Sequence, residues 1–436
     1  MTISVLGTGY LGATHAACMA ALGHEVIGID ADPDRVAMLQ AGVAPFHEPG
    51  LDDLLADGLA SGRLSFDTRY EQAADADLHF VCVGTPQLRD GDAADLSHVW
   101  ATVDALAPLL TRPCVVVGKS TVPVGTAVQL RTMLQHRAPA GTDVDLAWNP
   151  EFLRESHAVD DSLKPDRLVF GVENPRAEAA LRDVYKTLLS DGVPVVCTNL
   201  ATAELAKVAA NAMLATRLSL MNALGEICEV AAADVGDLAT VLGLDPRIGS
   251  SFLAPGVGFG GGCLPKDTRA LLARAEELGV LHAVGLLREV DRVNLRRRDK
   301  AVDVAVELLD GNPLGRRVAV LGAAFKPGSD DVRDSPALDV AMKLHARGVD
   351  VRVCDPAAIP TARRACPELS YFRDMFAACS GAEVVLLLTE WPEFAGVDPV
   401  ALATVVSRTQ VVDGRLALDR NRWQDAGWTY RALGIG

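Results

Sequence analysis

A single cysteine in a glycine-rich segment is the residue best suited to covalent chemistry. The segment Gly258-Phe-Gly-Gly-Gly-Cys-Leu-Pro-Lys-Asp267 places Cys263 after a glycine run and just before Lys266 and Asp267. Glycines let a ligand approach the backbone closely, and a nearby ammonium favours the thiolate, which is the nucleophilic form of cysteine. The alternative is a tight turn around a buried, unreactive thiol. Taken alone, the segment leaves both interpretations open.

A lysine and an asparagine, Lys207 and Asn211, lie four residues apart in an otherwise almost entirely apolar stretch, residues 205–213. Residues at this spacing share one face of a helix. A buried ammonium without a partner is costly, so we expect this face to meet water or a polar ligand. Both groups could then stabilise an alkoxide or oxyanion. The alternative is a lysine that extends to solvent and an asparagine that caps a neighbouring loop.

Two carboxylates, Glu151 and Glu155, stand four residues apart in Asn149-Pro-Glu-Phe-Leu-Arg-Glu155, directly after a predicted strand. If the turn is helical, both side chains point the same way, and one could activate water as a general base. Carboxylates near the start of a helix are also common because they complement the helix dipole. Their catalytic role therefore depends on the neighbouring cysteine and lysine sites.

The chain opens with a glycine pattern typical of dinucleotide-binding folds. An apolar run, residues 2–6, is followed by Gly7-Thr-Gly-Tyr-Leu-Gly12, a helix-compatible stretch and a second strand that ends at Asp30. An acid at that strand end can bind the ribose 2′-hydroxyl and repel a 2′-phosphate, which favours NAD over NADP; Asp32 is the less favoured alternative. The cofactor-binding residues predicted here are Gly7, Gly9, Tyr10, Leu11, Gly12, Asp30 and Arg35.

Further strand-like runs alternate with helical stretches, as in a doubly wound, mostly parallel sheet. These runs are residues 78–83, 114–119, 145–148, 167–171 and 193–197. Polar loops follow two of them, at residues 84–86 and 120–125. Because ligands of such sheets lie beyond the carboxyl ends of the strands, we expect Thr85 and Thr121 to line the cofactor.

The second half of the chain begins with helices and then repeats the opening plan. Residues 202–233 and 268–309 are predicted to be helical, and residues 311–315 form a linker. A strand at residues 317–321, a loop at 322–328, a helix at 335–347 and a strand at 350–354, followed by Asp355, come next, but without the G-x-G-x-x-G spacing. This half could hold a substrate that is itself a nucleotide, or it could be scaffold alone.

We therefore predict an α/β fold with two Rossmann-like doubly wound domains joined by a long central helical region. The boundaries are 1–198 for the NAD-binding domain, 199–310 for the helical and dimerisation domain with the cysteine loop, and 311–436 for the second Rossmann-like domain.

The composition describes an ordinary globular enzyme. Hydrophobic residues make up 49% of the 436 residues and charged residues 22%. The net charge of −16 argues against general nucleic-acid binding, and the one dense basic run, Arg296-Arg-Arg298, is interpreted as a solvated helix face or a subunit contact.

Cysteine usage and hydropathy bear on the compartment. No apolar stretch approaches the roughly 18 residues of a membrane-spanning helix, and the N-terminus lacks a charged leader region. The nine scattered cysteines show neither zinc-type spacing nor a disulfide framework, so we expect no metal and a cytoplasmic location.

The combined motifs resemble the UDP-glucose/GDP-mannose dehydrogenase family over essentially the whole chain. The motifs that carry the resemblance are Gly7-Thr-Gly-Tyr-Leu-Gly12, Lys119-Ser-Thr-Val-Pro123, Asn149-Pro-Glu-Phe-Leu-Arg-Glu155, Glu204-Leu-Ala-Lys-Val-Ala-Ala-Asn211, Gly260-Gly-Gly-Cys-Leu-Pro-Lys-Asp267, Phe325-Lys326 and Asp413-Gly-Arg415. The resemblance implies a two-fold, NAD-dependent oxidation of UDP-glucose to UDP-glucuronate. GDP-mannose or another nucleotide sugar is the alternative within the class. A two-electron hydroxyacid dehydrogenase and a non-catalytic NAD-responsive regulator are the alternatives outside it.

The resemblance also implies roles for single residues. Cys263 corresponds to the nucleophile, and Lys207, Asn211 and Asp267 to groups that arrange the alkoxide and the attacking water. The catalytic set is completed by Glu151 as general base and by Thr121. Further cofactor contacts are implied at Thr121, Glu155, Lys266 and Arg333. Substrate contacts are implied at Glu151, Phe152, Leu153, Arg154, Lys207, Asn211, Arg247, Phe252, Leu253, Gly256, Gly260, Phe325, Lys326 and Arg415.

Three further features bear on the assignment. Arg247 aligns with an arginine that reaches a partner subunit's active site, so the resemblance implies a homodimer or a larger homo-oligomer. Gly262 stands where many relatives have serine, and Ser156 stands where glycine is usual. Leu264-Pro-Lys-Asp267 argues against the branch that acts on 2-acetamido sugars.

Overall fold

The computed structural model describes residues 1–436 and contains two compact units, Met1–Ala210 and Asn211–Gly436. Each unit carries a sheet flanked by helices. The predicted α/β fold, with two Rossmann-like domains and a long central helix, is confirmed. The three domain boundaries remain a prediction.

The sheet of the first unit has eight strands in the order β3-β2-β1-β4-β5-β6-β7-β8. All neighbours are parallel except β6 and β7. The strands are β1 Thr2–Leu6, β2 Glu25–Ile29, β3 Leu64–Asp67, β4 Leu78–Val81, β5 Cys114–Gly118, β6 Val144–Trp148, β7 Leu168–Gly171 and β8 Val195–Thr198. The order changes direction between β1 and β4, which is where doubly wound sheets bind their ligands.

Helices cover both faces of this sheet. They are α1 Tyr10–Ala21, α2 Pro33–Gln40, α3 Leu51–Ala60, α4 Ser97–Leu106, α5 Thr126–Arg137, α6 Ala158–Leu163, α7 Pro175–Val184 and α8 Lys186–Ser190. Short 3-10 turns occupy residues 70–73, 107–109 and 141–143. α1 is buried over nine consecutive residues, most of them small. This composition lets the helix pack closely on β1 and β2, because small side chains allow backbones to approach.

The long helix α9, Leu200–Ala231, continues from the first unit into the second. The second unit then has α10 Val235–Gly243, α11 Leu264–Glu277 and α12 Leu286–Leu308, with a 3-10 turn at residues 281–284. The predicted helical stretch over residues 268–309 is therefore interrupted. Gly279 ends α11 with a φ of 73°, and the amides of Gly279 and Val280 donate to the carbonyls of Glu276 and Ala275.

The second sheet has six parallel strands in the order β11-β10-β9-β12-β13-β14. Its strands are β9 Arg317–Leu321, β10 Asp350–Cys354, β11 Ser370–Phe372, β12 Val384–Leu387, β13 Gln410–Asp413 and β14 Thr429–Ala432. Its helices are α13 Pro336–Ala346, α14 Ile359–Ala365, α15 Met375–Cys379, α16 Pro392–Ala395, α17 Pro399–Ala403 and α18 Arg420–Asp425.

The basic run on α12 is mostly buried, so the predicted solvated face or subunit contact is wrong for two of its three arginines. Arg297 and Arg298 are 0% and 2% exposed. Arg297 pairs with Glu229 at 3.2 Å, and Arg298 pairs with Asp334 at 2.7 Å. Buried guanidinium groups need such partners because an unpaired buried charge is costly. The run holds the second unit together internally.

Candidate active site

The glycine loop between β1 and α1 packs tightly at Gly12 and leaves open space at Gly9. Gly7 has a φ of 86°, and its amide donates to the carbonyl of Ile29 at 2.7 Å. A Cβ on Gly12 would overlap the carbonyl oxygen of Gly7, whereas nothing lies within 4 Å of the Cβ position at Gly9. Gly12 thus serves helix–strand packing, and Gly9 leaves the room that a pyrophosphate requires.

Asp30 lies at the end of β2 beside this loop, as predicted. Its carboxylate accepts hydrogen bonds from the amide of Thr8 at 2.7 Å and from Arg35 Nη1 at 3.0 Å. Burial acts to raise the pKa of Asp30, but the amides of Asp32 and Thr8 and the Arg35 guanidinium together hold it below the ordinary value. The side chain is therefore anionic and fixed in place, as a ribose-binding acid should be.

The two polar loops at the neighbouring strand ends meet each other. The hydroxyl of Thr85 donates to the carbonyl oxygen of Thr121 at 2.7 Å. The first loop follows β4, which lies next to β1 in the sheet, and the second follows β5, which lies next to β4. The structure thus brings Thr85 and Thr121 to the same sheet edge as the glycine loop, and their contact with the cofactor remains a prediction.

A buried lysine behind Thr121 was not among the predicted site residues. Lys119 Nζ donates to Asn149 Oδ1 at 2.9 Å and lies 3.4 Å from the hydroxyl of Tyr185. Burial lowers its pKa to about 8. Asn149 also accepts from the Tyr185 hydroxyl at 2.6 Å and donates to the carbonyl of Val169. This cluster fixes the start of the segment that carries Glu151.

Glu151 forms an ion pair with Lys207, with Oε1 and Nζ 2.9 Å apart and both side chains largely buried. Its other oxygen accepts from the amide of Leu153 at 2.6 Å. The segment from Glu151 to Glu155 has no helical turn, so the condition for aligning the two carboxylates is not met. Proline at position 150 and the bond from Leu153 to Glu151 favour an irregular loop instead.

The next residues of this loop also have defined contacts. The Arg167 guanidinium lies 3.9 Å from the ring centre of Phe152, and Lys207 Nζ lies 5.8 Å from it. Arg154 pairs with Asp161 at 2.6 Å. Glu151, Phe152 and Lys207 are thus brought together within the first unit, whereas Arg154 is directed to an acid on α6.

In the second unit, Cys263 directly precedes α11, whose first turn contains Lys266 and Asp267. The N-terminus of a helix carries a partial positive charge, which favours an anionic thiolate. Asp267 is 1% exposed and accepts from Asn211 Nδ2 at 2.6 Å and from Lys266 Nζ at 2.5 Å. The predicted residues Asn211, Lys266 and Asp267 therefore form one connected group behind the cysteine.

Two buried asparagines missing from the predicted site hold the glycine-rich loop. Asn222 on α9 accepts from the amide of Gly256 at 2.8 Å. Asn294 on α12 accepts from the amide of Phe259 at 2.7 Å and donates to its carbonyl at 3.0 Å. Asn294 lies four residues before Arg298, which donates to the same carbonyl at 2.9 Å. That i, i+4 spacing of polar residues could have revealed the pair.

The glycines of this loop touch the segment 325–335. A Cβ on Gly260 would overlap the carbonyl of Asp334, and a Cβ on Gly261 would lie 2.8 Å from the ring of Phe325. The amide of Gly261 donates to the carbonyl of Arg333 at 2.8 Å. Phe325 also stacks under the Lys326 ammonium, 5.6 Å from its ring centre. Phe325, Arg333 and the cysteine loop are thus brought together.

Arg415 joins three backbone segments. Its guanidinium donates to the carbonyls of Leu388 at 2.8 Å, Gly258 at 2.9 Å and Phe325 at 3.4 Å. Glu390 pairs with it at 3.3 Å. Arg415 therefore lies beside the loops that carry Gly260 and Phe325.

The remaining predicted substrate residues differ in exposure. Leu253 is buried, whereas Phe252 has a φ of 59° and is 37% exposed. Arg247 has an 88% exposed side chain and pairs with Asp245 at 2.5 Å. A side chain as exposed as that of Arg247 can contact a bound ligand only if another protein surface packs over it.

No helix is long and apolar enough to cross a membrane. No group of three or more His, Cys, Asp or Glu side chains is arranged to hold a metal ion.

Comparison with known proteins assigns all three parts of the chain to one family. The NAD binding domain of the UDP-glucose/GDP-mannose dehydrogenase family matches residues 1–189, its central domain residues 201–296 and its UDP binding domain residues 319–420. The chain belongs to this family.

Curated relatives and a solved structure agree with that assignment. The chain is 38% identical to UDP-glucose 6-dehydrogenase TuaD of Bacillus subtilis, with 99% of this chain and 93% of that one covered. It is 39% identical to UDP-glucose 6-dehydrogenase of Pseudomonas aeruginosa, with 100% and 97% covered. The structure of a UDP-glucose dehydrogenase from Pyrobaculum islandicum superimposes with a TM-score of 0.92 at 39% identity, covering 100% of this chain and 98% of that one.

The match to the family's UDP binding domain, residues 319–420, lies within the second Rossmann-like half. Its acid Asp355 corresponds in position to Asp30, and like Asp30 it accepts a hydrogen bond from the loop after the first strand of its sheet. It accepts from the amides of Ala323 at 2.7 Å and Ala358 at 2.7 Å and from Trp391 Nε1 at 3.1 Å. The strand-end acid of this half therefore acts as a structural anchor for its first loop.

The two departures from the family pattern have local explanations. A Cβ on Gly262 would overlap the Arg333 guanidinium, so glycine here gives that side chain room. Ser156 has a φ of 67°, a conformation that glycine adopts more easily. Its amide donates to Glu48 Oε2 at 2.9 Å and to the Tyr10 hydroxyl oxygen at 3.1 Å, which stabilises the turn.

Proposed function

We propose that this protein oxidises UDP-glucose to UDP-glucuronate in an NAD-dependent, four-electron reaction. The observation that carries the proposal is Cys263 at the start of α11, with Asp267 held behind it by Asn211 at 2.6 Å. A two-electron hydroxyacid dehydrogenase has no need of this arrangement. The full-length relatives described above as UDP-glucose 6-dehydrogenases support the choice of sugar nucleotide.

The cofactor site fits a dinucleotide. Gly9 leaves open space at the loop, and Asp30 is held as a fixed carboxylate at the end of β2. Bound NAD would accept the hydrides that leave C6 of the sugar. The Arg35 guanidinium pairs with the Asp30 carboxylate at 3.0 Å, which holds this acid in a defined position for the ribose.

The side chains of the protein then have separate roles in the reaction. Lys207 and Asn211 stabilise the oxygen of C6 as its proton leaves. The Cys263 thiolate adds to the carbonyl carbon of the resulting aldehyde, which gives a thiohemiacetal and retains this reactive intermediate. Loss of a second hydride from carbon and of the hydroxyl proton from the thiohemiacetal leaves a thioester. Glu151 accepts a proton from water, which attacks the thioester carbon and releases the acid and the thiolate.

We also propose that two copies of the chain associate through α9. Met213, Leu220 and Ile227 are spaced seven residues apart on this helix and are 65%, 58% and 59% exposed. This spacing places them on one stripe, as at helix–helix interfaces. The exposed Arg247 then reaches a substrate in the partner's site.

The three domains follow the boundaries 1–198, 199–310 and 311–436. The protein works in the cytoplasm, where the nine cysteines stay reduced.

NADH release from the purified protein tests the proposal directly. UDP-glucose, GDP-mannose and UDP-N-acetyl sugars are offered separately at equal concentration with saturating NAD. We expect kcat/KM for UDP-glucose to exceed that for every other sugar nucleotide at least tenfold. Faster NADH release with GDP-mannose, or no release with any nucleotide sugar, would contradict the assignment.

A further inference from the structure

Glu48 is a buried carboxylate for which the proposed mechanism has no role. It lies in the segment between α2 and α3, within Phe46-His-Glu-Pro-Gly50, and is 5% exposed. A buried carboxylate is costly unless hydrogen bonds satisfy its oxygens. The partners of Glu48 therefore show what it stabilises.

Those partners come from two distant segments of the first unit. One oxygen accepts from the hydroxyl of Tyr10, in the dinucleotide loop, and from the amide of Ser156 at 2.9 Å. The other accepts from the amides of Ala158 at 2.7 Å and Val159 at 3.5 Å. The Tyr10 hydroxyl oxygen also accepts from the Ser156 amide at 3.1 Å. A single carboxylate thus connects the start of α1 with the turn before α6.

The chemistry of Tyr10 makes this connection persistent. Burial, followed by the hydrogen bond to Glu48, raises the pKa of Tyr10 well above its usual range. The phenol therefore remains a hydrogen-bond donor. Its ring centre lies 4.7 Å from that of Phe46, which stands two residues before Glu48 in the chain. The segment around Glu48 therefore contacts both the ring and the hydroxyl of Tyr10.

The turn held by Glu48 needs such support. Ser156 has a φ of 67°, which is unfavourable for a residue with a Cβ. It directly follows Glu155, a predicted cofactor contact. Because Glu48 accepts from the amides on either side of His157, it fixes the backbone that positions Glu155.

We propose that Glu48 is a positioning residue for NAD: it acts through Tyr10 and the Glu155–Ser156 turn without touching the reacting atoms. This inference rests on the proposed function only in the identity of the sugar substrate, since the NAD binding domain is a property of the family. Loss of the carboxylate should weaken NAD binding selectively and leave the sugar-nucleotide site unchanged.

The test variant is Glu48→Gln, which keeps the size but places a donor NH2 against backbone amides. Its matched control is Glu71→Gln, the same change at an exposed position of the first unit. Calorimetry gives the Kd of each full-length protein for NAD and for UDP-glucose, and hydrogen exchange follows the amides of residues 156–159. We expect about a tenfold rise in the NAD Kd, a UDP-glucose Kd within twofold of wild type, and faster exchange at residues 156–159 in Glu48→Gln alone.

Two results would overturn the proposal. An NAD Kd within twofold of wild type would show that Glu48 does not position the cofactor site. A loss of both ligands together, with a lowered melting temperature, would show a general structural role. Tyr10→Phe, which removes one of the four donors, should raise the NAD Kd less than Glu48→Gln does. If wild type fails to oxidise UDP-glucose, the proposed substrate is wrong, and the NAD titration still decides the role of Glu48.

Discussion

At the scale of single residues, the charged groups of the candidate site are fixed by specific partners. Asp30 accepts from Thr8 and Arg35, and Glu151 pairs with Lys207. Asp267 accepts from both Asn211 and Lys266. Such partners hold a side chain in one orientation before a ligand binds. This lowers the entropic cost of binding and the barrier of the reaction.

Replacement of Asp30 should change the choice of cofactor. In Asp30→Ala the carboxylate that repels a 2′-phosphate is lost, and the Arg35 guanidinium, which then pairs only with Asp32 at 3.5 Å, can bind that phosphate. We expect the ratio of kcat/KM for NAD to that for NADP to fall at least tenfold. Initial rates with both cofactors measure it, and exposed Asp34→Ala on α2 is the control. An unchanged ratio would assign the selectivity to another residue.

Lys119 should give the stability of the protein a specific pH dependence. Its folded pKa of about 8 lies below the ordinary value of 10.5. Between these values the unfolded chain binds a proton that the folded chain does not, so the free energy of unfolding rises with pH in that window. The free energy of unfolding should rise by up to about 3 kcal/mol, at 1.36 kcal/mol per pH unit. This rise should be absent in Lys119→Met.

Denaturant unfolding at pH 7.5 to 10.5 measures this difference, and Lys186→Met on the exposed face of α8 is the control. Identical pH profiles for wild type and Lys119→Met would show that the buried lysine titrates at its ordinary value.

Residues with a chemical signature could be proposed as site residues from the sequence, whereas the residues that support them could not. Cys263, Asp30 and Lys207 stand out by type and spacing. Glu48 and Asn222 do not, because their role depends on contacts with residues far away in the sequence. Sequence periodicity carries no signal for such long-range hydrogen bonds.

At the scale of elements, the junction of β1 and α1 separates two uses of glycine. Gly12 lies where a Cβ would overlap the carbonyl of Gly7, and Gly9 lies in open space. The same motif therefore contains one position required by the fold and one required by the ligand.

Alanine substitutions should separate these two uses. We expect Gly12→Ala to lower the free energy of unfolding by about 1–3 kcal/mol, the usual cost of overpacking. Gly9→Ala should leave stability within about 0.5 kcal/mol and raise the NAD Kd at least tenfold, because the methyl group occupies ligand space. Denaturant unfolding and NAD titration of both variants check the pair. Equal destabilisation by the two substitutions would contradict this assignment.

Element prediction was accurate where periodicity was strong and failed where a local turn decided the backbone. β1, β2, β9 and β10 lie where their apolar runs predicted them. The stretch after Glu151 was considered as a helical turn, and it is a loop because its carboxylate bonds its own backbone. The basic run on α12 was interpreted from charge alone, whereas pairing with the partly buried acids Glu229 and Asp334 allows two of its arginines to be buried.

At the scale of the whole molecule, the apolar stripe on α9 predicts self-association. Leu220 lies at its centre and is 58% exposed. A carboxylate there would be buried without a partner in the proposed interface. We expect Leu220→Glu to shift the protein from dimer to monomer in light scattering, whereas Val400→Glu at the exposed N-terminus of α17 should leave the mass unchanged. A wild-type protein that is monomeric at all concentrations would refute the interface.

The central claim is the covalent, four-electron reaction at Cys263, and product stoichiometry tests it most directly. Purified protein is incubated with limiting UDP-glucose and excess NAD until NADH formation stops, and NADH and UDP-glucuronate are both quantified. We predict two NADH per UDP-glucuronate for wild type and a loss of at least a thousandfold in kcat for Cys263→Ser, about 4 kcal/mol in barrier. One NADH per sugar with a free aldehyde as the final product, or near wild-type turnover by Cys263→Ser, would contradict the account.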